Sequence, residues 1–127
     1  CEMFKDSAMV YYCATGVFME YLDTGKKEDY INRPTHYPCD ELTHYPAACY
    51  RYKMPLMLQK YNGNIEALKA ECLSLPSPLR RGCFHGLGNA SISLVFEDSS
   101  MIEKVCNRGS IEDRTMCIEG VTEKLAD

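Results

Sequence analysis

The sequence predicts an all-α protein, a solenoid of helix-turn-helix repeats of about 34 residues, and three observations lead there. Cys13, Cys49, Cys83 and Cys117 advance along the chain by 36, 34 and 34 residues. A second cysteine precedes each of them by 10 to 12 positions (Cys1, Cys39, Cys72 and Cys106), so all 8 cysteines are used. A short pattern follows the later cysteine: Cys83-Phe-His-Gly86-Leu87 returns as Cys13-Ala-Thr-Gly16-Val17 and as Cys117-Ile-Glu-Gly120-Val121, while Cys49-Tyr-Arg-Tyr52-Lys53 holds the register without the glycine. Two helices per period of this length form a hairpin that buries its apolar face by stacking on its neighbours. The units are expected at about 1–25, 26–62, 63–97 and 98–127, within one domain.

In the first unit Ser7 is placed to cap a helix with Met9, Val10, Cys13, Gly16 and Val17 on one face, running to about Leu22 and stopped at Gly25. The second unit is irregular. Pro34 and Pro38 interrupt its first helix, so only a short turn near Glu28 to Asn32 is expected, followed by extended chain. Thr-His-Tyr-Pro occurs there twice, at Thr35 to Pro38 and at Thr43 to Pro46. Pro46 can open a helix, because its missing donor falls in the first turn. That helix carries Cys49, Tyr52 and Leu56, is expected to kink at Pro55, and ends at Tyr61-Asn62-Gly63. In the third unit Asn64 caps a helix with Ile65, Leu68 and Cys72 on one face, and Leu75-Pro76 stops it. Ser77 and Pro78 start the next, whose stripe is Leu79, Cys83, Gly86, Leu87, Ala90 and Leu94. On that wheel His85 lies nearly opposite Leu87 and Ala90, as a solvated or inter-repeat side chain, and Asn89 lies off the core face. In the fourth unit Ser99 or Ser100 caps a helix through Ile102, Val105 and Cys106 that Gly109 ends; Ser110 with Asp113 then opens the last, through Cys117, Gly120, Val121 and Leu125.

The even, regular set of cysteines argues for disulfides and an oxidising compartment: secreted, cell-surface or periplasmic. Repeat symmetry pairs Cys1 with Cys13, Cys39 with Cys49, Cys72 with Cys83, and Cys106 with Cys117, whereas pairing across repeats would strand Cys1 and Cys117. No two cysteines lie closer than 10 residues, against the short spacings of zinc sites. A lipid-anchored Cys1 would leave Cys13 unpaired. Each bridge should staple the end of a first helix to the second helix of its hairpin, contributing about 2.5 to 3 kcal/mol by loop entropy. The glycine three residues after the later cysteine costs about 1 kcal/mol in a helix interior, so a close backbone approach is expected there.

The 127-residue chain carries 46% hydrophobic residues and a net charge of −4 with acidic and basic residues mixed, which excludes a basic stripe for nucleic acid. No apolar run is long enough to span a bilayer, and the opening CEMFKDS lacks the regions of a signal peptide; the chain reads as soluble and already processed, or as a fragment.

The period and the paired cysteines resemble tetratricopeptide or Sel1-like repeats, in particular the cysteine-rich Sel1-like proteins secreted by bacteria. The chain departs from the tetratricopeptide pattern in having no tryptophan. The resemblance implies a right-handed superhelix with a concave binding face and no intrinsic chemistry.

Candidate binding residues concentrate between residues 30 and 53. All 9 tyrosines fall between Tyr11 and Tyr61, and tyrosine offers contact area with a polar tip; Tyr30, His36, Tyr37, His44, Tyr45 and Tyr52 are the recognition candidates. A metal or small ligand held by His36 and His44, with Asp40 or Glu41, is the alternative. Asn89-Ala-Ser91 matches an N-glycosylation acceptor, and Thr35 and Thr43 suit O-linked sugar on a proline-bearing loop. No nucleophile elbow, HExxH or phosphate loop appears, so no enzyme and no cofactor is expected. The expected function is an extracellular structural or interaction scaffold. Its partners are other proteins or further copies of itself, stacked head to tail into a filament through uncapped ends.

Overall fold

The computed structural model describes residues 1–23, 32–41, 44–92, 96 and 98–126. Among them the chain is helical without strands: α1 (Ser7–Asp23), α2 (Pro46–Lys60), α3 (Ile65–Leu73), α4 (Ser77–Ala90), α5 (Met101–Val105) and α6 (Ile111–Ala126). Gly25, Tyr30, Thr43, Leu94 and most of the turn expected at 28–32 lie outside the described residues.

Local chemistry accounts for the helix ends. Asn64 Oδ1 accepts from the Ala67 amide at 3.1 Å and opens α3. At the end of α2, Gly63 N–H donates to Leu58 O (2.8 Å) and Asn62 N–H to Gln59 O (3.2 Å). Asn62 and Gly63 have φ of 54° and 76°, so this is a Schellman stop with the left-handed residue supplied by asparagine. Ser110 and Asp113 form a reciprocal box at the start of α6: Asp113 N–H donates to Ser110 Oγ (3.2 Å), and Ser110 N–H to Asp113 Oδ2 (2.9 Å). Two caps differ from expectation by one residue or two. Asp6, not Ser7, accepts from the Ala8 amide (2.8 Å), and Asp98, not Ser99 or Ser100, accepts from both the amide and hydroxyl of Ser100. A carboxylate outcompetes a neighbouring hydroxyl for a helix N-terminus.

Helix α4 is the centre of the fold. It packs on α2 along one side and α6 along another, while α1 packs on α2, and the shorter α3 and α5 lie beside α4. The core runs through all of these elements, with Phe18, Leu22, Tyr50, Met54, Leu68, Phe84, Leu87, Val105 and Val121 buried in one cluster. Four disulfides join Cys1–Cys13, Cys39–Cys49, Cys72–Cys83 and Cys106–Cys117, with Cα separations of 5.4 to 5.6 Å. Each ties one long helix to the segment or short helix that precedes it, as the cysteine register requires.

Glycines let the long helices approach. A Cβ on Gly86 would lie 2.7 Å from the Tyr50 carbonyl oxygen, and one on Gly82 would lie 2.7 Å from Ala47 N. A Cβ on Gly88 would overlap the Cys117 carbonyl, and one on Gly120 the His85 carbonyl. The three glycines of α4 together forgo about 3 kcal/mol of helix propensity. In return two neighbouring backbones come into contact with α4, and Phe84 and Leu87 are sealed completely, at about 1.5–3 kcal/mol each. Gly16 differs: nothing lies within 4 Å of its Cβ position.

Three expectations are corrected. In α1 the buried stripe is Ala14, Phe18 and Leu22, with Thr15 beside it, whereas Met9 and Val17 are 49% and 58% exposed. The mixed apolar residues of this helix mark two stripes, and only one meets α2. Residues 34–41 are not extended but wound in successive turns, closed by Tyr37 N–H to Pro34 O, Asp40 N–H to His36 O and Glu41 N–H to Pro38 O. Finally, Asn89 is buried, at 5% exposure, and His85 takes the second of its two expected places, buried between α4, α1 and α6 rather than solvated, because α4 is covered on two sides and its stripe accounts for one.

Candidate functional site

The buried polar side chains form clusters that bind neighbouring helices together. The largest gathers on Glu123 of α6. Tyr11 of α1 donates to both of its oxygens (3.1 and 3.0 Å), Arg51 of α2 forms a close ion pair with Oε1, and Nε2 of His85 in α4 lies 3.2 Å from Oε2. One carboxylate therefore takes a donor from each of the other three long helices. Burial, with the Glu123 charge beside it, raises the Tyr11 pKa well above that of an ordinary phenol. Burial lowers that of His85, against the opposing pull of Glu123 and Glu119. Nothing in the sequence pointed to this cluster, since its members are as much as 112 residues apart.

A second cluster closes over His36. Its Nε2 lies 3.0 Å from Glu71 Oε2 and its Nδ1 lies 2.7 Å from the Tyr50 hydroxyl, while Tyr61 donates to Glu71 Oε1 at 2.7 Å. A carboxylate only accepts, so Nε2 carries hydrogen, and in the neutral ring Nδ1 accepts from Tyr50. Both nitrogens are spent holding segment 34–41 onto α2 and α3, which removes His36 as a metal ligand. Among the described residues no group of three His, Cys, Asp or Glu side chains is placed to hold a metal ion.

Two further contacts join α3 and α4 to the chain of α5 and α6. The buried Lys69 ammonium donates to the Lys104 carbonyl at the end of α5, to Asn107 Oδ1 (3.1 Å) and to Glu66 Oε1 (2.8 Å). Arg80 Nε donates to Asp113 Oδ2 at 2.7 Å, with Asp113 fully buried. Burial pushes the Asp113 pKa upward, but Ser110 and Arg80 outweigh it and hold the carboxyl below its usual range.

The expected recognition surface at residues 30–53 is thus divided. His36 turns inward. Tyr37 stacks under Arg33, whose guanidinium carbon lies 4.8 Å from the ring centre, and Thr35 accepts from Lys60 at 3.0 Å. Tyr52 lines a groove of about 430 Å³ with Pro55, Leu58 and Lys124. His44 and Tyr45 belong to a different groove of about 480 Å³, beside the first turns of α1, α2 and α4, with Tyr11, Pro46, Arg81 and Met116 in its wall. A smaller groove of about 310 Å³, reaching His85, Glu119 and Glu123, shares Ser7, Tyr11, Ala47 and Met116 with it, so the two are continuous. Asn89 is removed as a glycosylation site: it is buried, and its amide faces the Gly120 carbonyl at 3.4 Å.

No helix of the described residues is long and apolar enough to cross a membrane. No family model, curated protein or solved structure matches the chain.

Proposed function

We propose that the chain is a non-catalytic interaction scaffold of an oxidising compartment, secreted, periplasmic or at a cell surface. In this reading it is a right-handed solenoid of stapled helical hairpins about 34 residues in period, whose faces stack on further hairpins, including those of a second copy. The observation that carries the reading is the register of the glycines. Gly86, three residues after Cys83, seats the backbone of Tyr50 in the preceding long helix, and Gly120, three residues after Cys117, seats that of His85. A similar contact made twice, from one long helix to the next and shifted by one residue relative to the preceding cysteine, is what a stack of related units produces.

Gly16 holds the corresponding position in α1 with its notch open, flanked by exposed Met9, Tyr12 and Met19. Elsewhere on the surface Ile102, Ile111 and Ile118 line a groove of about 580 Å³ between α5 and α6. A contact between these two unlike faces is heterologous and propagates head to tail. The polar clusters support a structural role as well, because their donors and acceptors are turned on one another across helix interfaces.

Sedimentation of the oxidised chain over a wide concentration range tests the stacking, with mass expected to grow with concentration. Gly16→Leu, at a position open enough to accept the side chain, should abolish that growth, and so should Ile118→Asp. A 1:1 mixture of the two variants should form a dimer that grows no further, since each retains one intact face. A wild-type chain that stays monomeric throughout refutes stacking, and peptide mapping without reduction that finds any bridge between hairpins refutes the repeat architecture itself.

A further inference from the structure

We infer that the groove over Tyr11 docks an acidic segment of a partner protein, with a bulky apolar side chain of that segment anchored between Tyr11, Tyr45 and Met116. The proposal rests on the scaffold reading above and names the class of partner. Its first support is the fate of the two Thr-His-Tyr-Pro copies. In the first, His36 is consumed by Tyr50 and Glu71. In the second, His44 is exposed, and its ring lies against that of its neighbour Tyr45, 6.2 Å away between centres. The same tetrapeptide is used once to close the fold and once to line an open groove.

The second support is charge. Lys5 and Arg81 both line the groove and are exposed, neither forms an ion pair among the described residues, and no acidic side chain lines this part. In a chain of net charge −4, Lys5 and Arg81 give this apolar cleft a positive lining of its own, although Arg81 also acts on Glu112 of α6. The continuous smaller groove ends instead at Glu119 and Glu123. Glu123 is answered by Arg51 and His85, but the exposed Glu119 forms no ion pair among the described residues. The cleft is therefore polarised along its length, and a bound segment is oriented with its carboxylates towards Lys5 and Arg81 and away from Glu119.

The third support is shape. A volume of about 480 Å³ lies in the range of functional pockets, roughly 300–1,000 Å³. Its wall of tyrosine, proline and methionine provides rigid aromatic area with one adaptable side chain. The apolar anchor would provide most of the affinity; the exposed cations would set partner choice, association rate and salt sensitivity.

Selection from a random displayed dodecapeptide library on the oxidised, full-length chain tests the proposal, followed by anisotropy titration of the enriched synthetic peptides. Enrichment of sequences pairing Asp or Glu with an aromatic or long aliphatic residue is expected. Lys5→Glu with Arg81→Glu should weaken those peptides by at least about tenfold, while Lys104→Glu with Lys124→Glu, the same change in net charge away from the groove, should leave them within about twofold. Far-UV dichroism of both double variants verifies that they fold. Enrichment of basic or uncharged peptides, equal loss in the two double variants, or no enrichment at all overturns the proposal. None of these results bears on sedimentation or disulfide mapping, which test the scaffold reading separately.

Discussion

Replacing Gly16, Gly86 and Gly120 by alanine, one at a time, should move stability in opposite directions even though the three share one register. In an open helix interior, glycine to alanine gains about 0.8–1 kcal/mol. Gly16 has nothing within 4 Å of its Cβ position, so Gly16→Ala should realise that gain, raising Tm by about 3–5 °C for a chain of this size. At Gly86 the added methyl would lie 2.7 Å from the Tyr50 carbonyl oxygen and 2.8 Å from Tyr50 Cβ. These are backbone and near-backbone atoms that cannot swing aside, so an overpacking cost of about 1–3 kcal/mol opposes the propensity gain, and a net loss of about 1–2 kcal/mol is expected. Gly120→Ala should cost more, since its Cβ would overlap the His85 carbonyl and lie 3.0 Å from Asn89 N. Guanidinium denaturation monitored by far-UV dichroism with disulfides intact measures all three, and unchanged m-values would show that the midpoint shifts are changes in stability rather than in the surface exposed on unfolding. If Gly16→Ala and Gly86→Ala shift the midpoint equally in the same direction, the helices do not meet at that glycine and the account of packing fails.

Glu123→Gln should destabilise by about 1–3 kcal/mol, because it removes the charge facing the partly buried Arg51 and weakens the bonds from Tyr11 and His85; the double change Arg51→Met with Glu123→Leu should cost less than the sum of its single changes in a mutant cycle. Below about pH 6.5 stability should fall as His85 is protonated, since burial lowers its folded pKa and the unfolded chain then binds the proton more tightly; His85→Gln should flatten that limb of the pH profile. At the alkaline end, burial and then the Lys60 charge push Lys53 down to about 8 from 10.5. Stability should therefore rise with pH between those values, and Lys53→Met should remove the rise. Replacing Cys106 and Cys117 together by serine opens a loop of 11 residues and should cost about 2–3 kcal/mol by denaturation at neutral pH.

The helix ends and the disulfide pairing were legible in the sequence because both are local. Asn64, the Asn62-Gly63 stop, Pro46 and the Ser110–Asp113 box act within a few residues, and each cysteine pair spans 10 to 12 positions. The glycine three residues after the later cysteine likewise announced a close approach, correctly at Gly86 and Gly120. Gly16 carries the same signature without the contact, since a notch in one helix does not say whether another helix enters it.

Tertiary structure alone decided which stripe of α1 meets α2, and that α4 is covered on two sides so that His85 and Asn89 become interior. Periodicity identifies an apolar face but not how many neighbours a helix has. It also separated the two Thr-His-Tyr-Pro copies, which are identical as sequence, by placing Tyr50 and Glu71 against His36 and an open groove against His44. The convergence of Tyr11, Arg51 and His85 on Glu123 depends on the stacking of four helices. No spacing rule encodes it, because contacts between residues so far apart in the chain are set by the relative placement of whole helices.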